Sequence, residues 1–430
     1  MNKLKKIVPQ RLKNIYHLGQ AVLANFMYGF PSKNIKVIGV TGSDGKTTTV
    51  QMIAGILEEA GKKVALASTI NYRLAGKEWK NLSHFTTLSS FAVQKFILDA
   101  VKARCEFLVL ETSSHSLDQF RVWGITFRTV VVTNVTREHL DYHQTMEQYR
   151  RAKLKLFQKA KNAVVNLDME KPEEFLQYKN DKKIKYSLKD KTADIFAEDI
   201  SLGINSTNYK LPASTRGDSP TRGGQTTSFK LNLPGEFNIE NALAATSAAV
   251  AENIDLETCA RALAKIKGVP GRMEAVLNDK DIDIIVDFAL TPNALEKIYQ
   301  LLAKTKKPEQ KIIAVFGACG ERDRGKRPII GEIVARYADQ VIITNDEPYR
   351  EDPLRIISEI VAGVKNKKEN ENLWIIPDRR EAIRKALQLA RPQDIVAVTG
   401  MGAEESMVVG DEKVPWNDKR VILEELEKMQ

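Results

Sequence analysis

Cysteine is scarce in this sequence: Cys105, Cys259 and Cys319 are the only three in 430 residues, far apart and without paired spacing. That argues against a disulfide framework or a cysteine-built zinc site, and it fits a reducing, cytoplasmic compartment. No apolar run approaches the roughly 18–20 residues needed to cross a bilayer. There is no aromatic–basic module and no paired Cys/His finger. Beyond the basic start the positive residues are interleaved with acids, so the net charge of +10 suits an anionic small substrate rather than nucleic acid. No solenoid-type repeat is present. Histidine is also rare: there are five, and four of them fall between His84 and His143.

What remains is ordinary globular material, 43% hydrophobic and 28% charged, long enough for two or three domains. The basic start "MNKLKKIVPQRLK" runs into "NIYHLGQAVLANFMYGFP". His17, Gln20 and Asn25 interrupt that stretch and no small-residue cleavage site follows, which argues against a signal peptide. Leu12, Ile15, Val22 and Phe26 fall near one helical face, with Tyr16, Leu23 and Met27 beside it. The N-terminal segment 1–35 therefore reads as an amphipathic helix packed on the first domain. A peripheral membrane contact aided by its lysines is the alternative.

From Ile35 onward, strands alternate with helices. "IKVIGV", "KKVALAS", "FLVLET", "TVVVTN" and "NAVVNL" read as strands, Thr48–Ala60 and Ser89–Ala103 as helices, and the stretch between the second strand and the second helix as a polar connection. The pattern predicts a doubly wound, mainly parallel sheet in a central domain, 36–269. A small β-rich insert is expected from about Ile184 to Pro234, with a loop at "PASTRGDSPTRGGQ". After the linker "GVPGRME" the alternation resumes as a Rossmann-like α/β domain, 270–430. Ligands on such sheets sit at the carboxyl ends of strands. Gly42–Thr47, Glu111 and Asn134–His139 all follow strand ends.

The stretch "GVTGSDGKTTT" carries the first chemistry. A glycine-rich turn at a helix start cradles phosphate oxygens, Lys46 neutralises them, and Thr47 offers a hydroxyl to Mg²⁺. Gly-Lys-Thr alone is a weak signal; a buried strand before it and a helix after it point to a nucleoside triphosphate. Glu111 is placed to hold a second metal ion. His139, Asp141 and His143 in "TNVTREHLDYH" add to it at the next strand end, with spacing that suits Mg²⁺ rather than zinc.

Taken in order, "TGSDGKTTT", "ETSSHSLDQFRV", "NVTREHLDYH", "YRRAKLKLF", "FNIENALAA", "PGRME", "VDFALTPNAL", "FGACGERDRGKRP" and "DEPYREDP" resemble the motifs of Mur ligases, closest to their UDP-N-acetylmuramoyl-tripeptide synthetase branch. The unusual glycine spacing of the loop is that of the family. The resemblance implies that Gly42, Ser43, Asp44, Gly45, Lys46, Thr47 and Thr48 bind ATP. Asn241 would contact adenine, Arg272 the γ-phosphate, Asp287 the ribose, and Lys326 a further part of the nucleotide. It implies metal ligands at Thr47, Glu111, His139 and Lys153, the last carried as a carbamate, which turns a cation into a carboxylate-like donor. Lys46, Glu111, His139, Lys153 and Arg272 would be the catalytic groups. Thr86, Thr87, Ser113, Gln119 and Arg121 would hold a UDP-muramoyl-dipeptide, and Asp346, Glu347, Gly400 and Glu404 the incoming amino acid. The implied reaction is ATP-dependent amide formation through an acyl phosphate, with two Mg²⁺ ions, and a cytoplasmic monomer is expected; the composition of the linker Gly268–Arg272 suggests that the domains close about it.

Four departures from the family pattern shape the expectation. Only about 35 residues precede the sheet, where the family carries a uridine-diphosphate-binding domain. Asp346-Glu347-Pro348-Tyr349 stands where diaminopimelate-adding members have Asp-Asn-Pro-Arg. Losing that arginine favours lysine or ornithine, with Arg350 as a compensating cation. Gly400-Met401-Gly402-Ala403-Glu404 replaces Gly-Lys-Gly-His-Glu, while Leu290-Thr291-Pro292 and Thr86-Thr87-Leu88 replace His-Thr-Pro and Thr-Thr-Pro. The alternatives are an amide ligase acting on another carboxylate, of the folylpolyglutamate or precursor-amidating kind, and a non-catalytic nucleotide-binding member.

Overall fold

A computed structural model describes residues 9–83, 85–203, 206–212 and 226–429, apart from the Arg11 side chain. His84 and all but Pro212 of the predicted glycine-rich loop lie outside these residues. The chain forms two compact units, Met1–Thr136 with Thr145–Lys267, and Arg137–Gln144 with Gly268–Gln430.

In the first unit, the strands β1 (Lys36–Thr41), β5 (Phe107–Glu111), β6 (Phe127–Val132) and β7 (Asn162–Asn166) are short runs rich in valine, isoleucine and leucine, almost wholly buried. That is the composition of strands covered on both faces. With β2 (Val64–Ala67), β3 (Asn71–Leu74), β4 (Lys77–Lys80), β8 (Lys182–Ser187) and β9 (Ile195–Phe196), they make a sheet of order β4-β3-β2-β5-β1-β6-β7-β8-β9 among the described residues. From β2 to β9 the pairing is parallel. The chain leaves β1 toward β2 on one side and later returns as β6 on the other, so the carboxyl end of β1 is a topological switch point. Val40 stands beside Glu111 on one side and Val131 on the other. The register therefore brings the loop after β1 and the ends of β5 and β6 to one edge.

The expected polar connection is in fact the hairpin β3–β4, turned at Ala75 and Gly76, both with positive φ. Such a two-residue turn usually advertises itself as Asn-Gly; here Ala-Gly hides it. The β-rich insert is present as the antiparallel sheet β10 (Glu198–Leu202), β11 (Thr207–Leu211) and β12 (Thr227–Leu231). It starts later than expected, because β8 and β9 extend the main sheet. The helix Gln10–Tyr28 packs on the helix Ser90–Lys102. The Asn25 amide ties it to the rest of the unit by donating to the Trp123 carbonyl at 2.8 Å, while also bonding back to Ala21 of its own helix. Among the described residues, no helix is long and apolar enough to cross a membrane.

The second unit carries a sheet of order β13-β14-β18-β15-β16-β17, built from Glu274–Val276, Asp283–Asp287, Ile395–Thr399, Ile312–Phe316, Gln340–Ile343 and Leu373–Ile375 in that order. All pairings are parallel except that of β13. Asp287 lies beside Thr399, and Phe316 beside Ile343. Asp287, Gly400 and Thr344–Glu347 thus gather at this sheet's carboxyl edge. A hairpin, β19 (Ser406–Val409) with β20 (Glu412–Pro415), follows.

Candidate active site

The helix after β1 begins at Lys46, two residues before the predicted start, because Gly45 takes a left-handed conformation (φ 80°) as its cap. Lys46 and Thr47 therefore occupy the first helical turn, where backbone N–H groups pointing along the axis favour an anion. Two glycines are required by close approach. A Cβ on Gly42 would overlap the Thr133 hydroxyl, and one on Gly45 would overlap the Asn241 carbonyl oxygen. The loop is held from β6: Asn134 Oδ1 accepts from Ser43 N (3.2 Å) and Asp44 N (2.9 Å), and Thr133 Oγ1 donates to the Asp44 carbonyl at 2.6 Å. The Ser43 hydroxyl lies 3.0 Å from the Tyr149 hydroxyl. Lys46 Nζ turns back to the Ser43 carbonyl at 2.8 Å.

Glu111 is 1% exposed at the end of β5. Both its oxygens take the Thr47 hydroxyl at 3.0 Å, and they also accept from Thr69 N (2.8 Å) and Thr69 Oγ1 (2.9 Å). A hydroxyl and a carboxylate fixed in contact form a hard oxygen donor set, which fits Mg²⁺. Lys153, equally buried, donates to the Gly42 carbonyl at 2.6 Å and lies 4.4 Å over the Tyr149 ring. Thr48 is buried in the same turn, and Asn241 accepts from Thr49 Oγ1 at 3.4 Å.

The residues expected at the acceptor join this cluster. Thr87 Oγ1 donates to the Glu111 carbonyl (3.0 Å) and accepts from Ser113 N (3.0 Å). Arg121 reaches the Thr87 carbonyl at 3.4 Å and Gln119 Oε1 at 2.6 Å. Thr86 is half-buried next to Thr87. The first unit thus gathers Gly42–Thr48, Thr86, Thr87, Glu111, Ser113, Gln119, Arg121, Lys153 and Asn241 along one edge.

His139 stands on Arg137–Gln144, which belongs to the second unit. Its Nδ1 is 3.9 Å from Glu138, whose carboxylate meets Lys326 Nζ at 3.3 Å. The expected grouping of His139, Asp141 and His143 does not form: His143 is buried against the Tyr142 ring and Asp141 is exposed. One helical turn, Leu140–His143, sets positions 141 and 143 about 200° apart. Among the described residues, no three His, Cys, Asp or Glu side chains form a metal-holding group.

Elsewhere in the second unit, Asp287 accepts from Met273 N and Ala289 N, each at 2.7 Å, and Arg272 lies 4.5 Å over the Phe288 ring. A Cβ on Gly400 would stand 3.0 Å from Asp346 Oδ2. Asp346 is 1% exposed, and burial pushes its carboxyl up to about 7, against the pull of Arg379. Glu347 accepts from Val408 N (3.2 Å) and Tyr349 Oη (3.3 Å), while Glu404 is half-buried. Arg350 pairs with Asp411.

The sequence marks Asn134 only as the start of a strand-end segment and gives no role to Thr133, Thr69 or Tyr149; together these four hold the loop and Glu111. Polar residues just after a buried strand were the available signal: Thr133 and Asn134 follow β6 directly, and Thr69 lies two residues past β2.

A phosphate loop at the switch point of one α/β unit with an oxygen-donor pair beside it, in a chain that also carries a second α/β unit, fits an ATP-dependent ligase. Residues 40–249 match the Mur ligase middle domain, and residues 271–402 the Mur ligase glutamate ligase domain. The chain is 41% identical to the UDP-N-acetylmuramoyl-L-alanyl-D-glutamate–2,6-diaminopimelate ligase of Syntrophomonas wolfei, over 94% of this chain and 81% of that protein. It is 38% identical to the UDP-N-acetylmuramyl-tripeptide synthetase of a Roseiflexus species, over 93% and 80%. A solved UDP-N-acetylmuramoyl-L-alanyl-D-glutamate–2,6-diaminopimelate ligase superposes with a TM-score of 0.61 at 32% identity, covering 92% of this chain and 79% of that one. The chain belongs to the Mur ligase family.

Proposed function

We propose that the chain adds an amino acid to a UDP-N-acetylmuramoyl-L-alanyl-D-glutamate acceptor, consuming ATP, as a cytoplasmic monomer in peptidoglycan precursor synthesis. The observation that carries this reading is the contact of Thr47 with Glu111 beside the Lys46 loop, with Thr87 bonded to the carbonyl of that same glutamate. The names of the relatives above supply the acceptor. Residues 36–269 act as the nucleotide domain and 270–430 as the amino-acid domain.

In this reading the amides of Gly42–Gly45 and the Lys46 ammonium bind the triphosphate, and Thr87, Ser113 and Arg121 orient the acceptor carboxylate. That carboxylate takes the γ-phosphoryl group, giving an acyl phosphate and ADP; the amine then attacks the acyl carbon and phosphate leaves. Thr47, Glu111 and a carbamylated Lys153 would hold Mg²⁺, which supplies charge neutralisation on phosphate oxygens. For the second unit we assign His139 to metal binding and Arg272, Asp287 and Lys326 to the nucleotide. Asp346, Glu347, Gly400 and Glu404 are assigned to the amino acid.

Glu347 would attract a side-chain ammonium. The one neighbouring cation proposed as compensation, Arg350, is paired with Asp411. Lysine or ornithine is therefore the amine we favour. Phosphate release with ATP and the dipeptide precursor, with lysine, ornithine or 2,6-diaminopimelate added in turn, tests both parts. Preference for diaminopimelate overturns the choice of amine alone. Release that does not depend on both acceptor and amine overturns the ligase reading. Intact-mass measurement in bicarbonate reads the carbamate.

A further inference from the structure

The helix Gln10–Tyr28 has two apolar sides, and the fold uses one of them. Ala21, Ala24 and Asn25 are fully buried on the side that meets Ser90–Lys102. On the other side Leu12, Ile15, Tyr16, Leu23, Phe26 and Met27 are 56–68% exposed. At about 100° per residue, these six and Gly19 fall within an arc of about 120° that no charged residue enters. Single exposed apolar residues are ordinary, but a continuous stripe marks a surface that is covered in use.

Charge identifies what covers it. The first 43 residues contain seven Lys and Arg and no Asp or Glu; all 55 acids of the chain come later. Lys33 Nζ lies 5.1 Å over the Phe30 ring, which meets Phe26 edge-on at 5.3 Å, so a cation borders one end of the stripe. Asp118, which meets this helix through Asn14 at 3.0 Å, is already paired with Lys155 at 2.8 Å.

We propose that this helix docks the enzyme on an anionic lipid surface, lying in the plane of the interface. Its apolar stripe enters the headgroup–acyl boundary, and Lys13 and Lys33 meet lipid phosphates. A second copy seated on the same stripe would set two acid-free basic segments against each other, a repulsion that anionic lipid converts to attraction.

Co-sedimentation of the full chain with vesicles of mixed phosphatidylglycerol and phosphatidylcholine, against phosphatidylcholine alone, tests this. Binding to the mixed vesicles is expected, and it should weaken as salt rises. It should fall about tenfold or more for Ile15→Ser with Phe26→Ser, since two apolar side chains are lost from the interface. Lys13→Gln with Lys33→Gln should cost about fivefold or more. ATP turnover and thermal melting serve as fold controls, since neither pair touches the site. Should the double serine variant melt early, Leu23→Ser takes its place. No binding by the wild type, equal binding to both vesicle types, or full binding by the serine variant overturns the proposal. A dimer lost in the serine variant, without vesicle binding, overturns it in favour of a second copy.

Discussion

The loop edge of the first unit and the Asp346 region of the second are both carboxyl edges of parallel sheets, yet they are built from opposite materials. At the loop, hydroxyls and amides do most of the holding: Asn134, Thr133 and Thr69 fix the backbone and Glu111 through short neutral or singly charged bonds. Around Asp346, full charges are buried together. Arg379 forms a two-pronged pair with Asp418 (2.8 and 2.7 Å) and also donates to the carbonyls of Asn345 and Thr399. Dipoles fixed by a fold await an incoming charge at little cost, whereas buried charges are stable only while every partner is present. The first region should fail in chemistry when altered, and the second in stability.

The sharpest break of that contrast is Lys46→Ala. Among the described residues the Lys46 ammonium holds a local carbonyl, that of Ser43, so melting should hardly move, while acceptor-dependent phosphate release falls about 10³-fold or more. A large loss of stability with modest loss of rate would reverse the roles of the two regions. Arg379→Leu is the mirror experiment. It leaves the buried Asp418 carboxylate without a cation, held by the Trp416 indole N–H at 2.8 Å, which should cost about 3–5 kcal/mol in denaturant unfolding. Arg379→Leu with Asp418→Leu should recover part of that loss, since the Asp418 charge is then gone as well. A double variant worse than the single one would show that the pair holds the edge through its backbone contacts.

The same contrast explains what could be read from the sequence. The loop residues are consecutive, and β1, β5 and β6 are almost unbroken apolar runs, so strand, loop, Lys46, Thr47 and Glu111 are legible in the sequence itself. The Arg379–Asp418 pair joins positions 39 residues apart on two helices with nothing unusual in their local sequences. No periodicity marks such a partner. Asn134 and Thr69 sat in view at strand ends, but a polar residue there becomes a loop clamp only once the strand register is known. His139, Asp141 and His143 do not group for a local reason: on one helical turn, residues two apart point about 200° away from each other.

A smaller effect is expected from Gly42→Ala. The new methyl overlaps Thr133 Oγ1, so the loop must shift or Thr133 must release the Asp44 carbonyl, at about 1–3 kcal/mol. If the first region fails chiefly in chemistry, the rate should drop by more than this destabilisation explains. Equal losses would mean that the loop's shape matters only for folding.

The finest test uses pH. Asp346 is held to about 7 by burial, against an ordinary value of 3.8, and its Oδ1 has no hydrogen-bond partner among the described residues. Below about pH 4, Asp346 is protonated both folded and unfolded and contributes nothing to the pH dependence. Between that point and pH 7 the unfolded chain releases this proton while the folded chain keeps it, so stability falls as pH rises. Above 7 the folded chain carries the buried anion and the penalty is complete. Asp346→Asn removes the ionisation, so its melting temperature should gain on the wild type steadily from pH 4 to pH 8. Parallel curves across that range would show that Arg379 and its neighbours neutralise Asp346 as an anion, and the charge contrast between the two edges would then vanish at this residue.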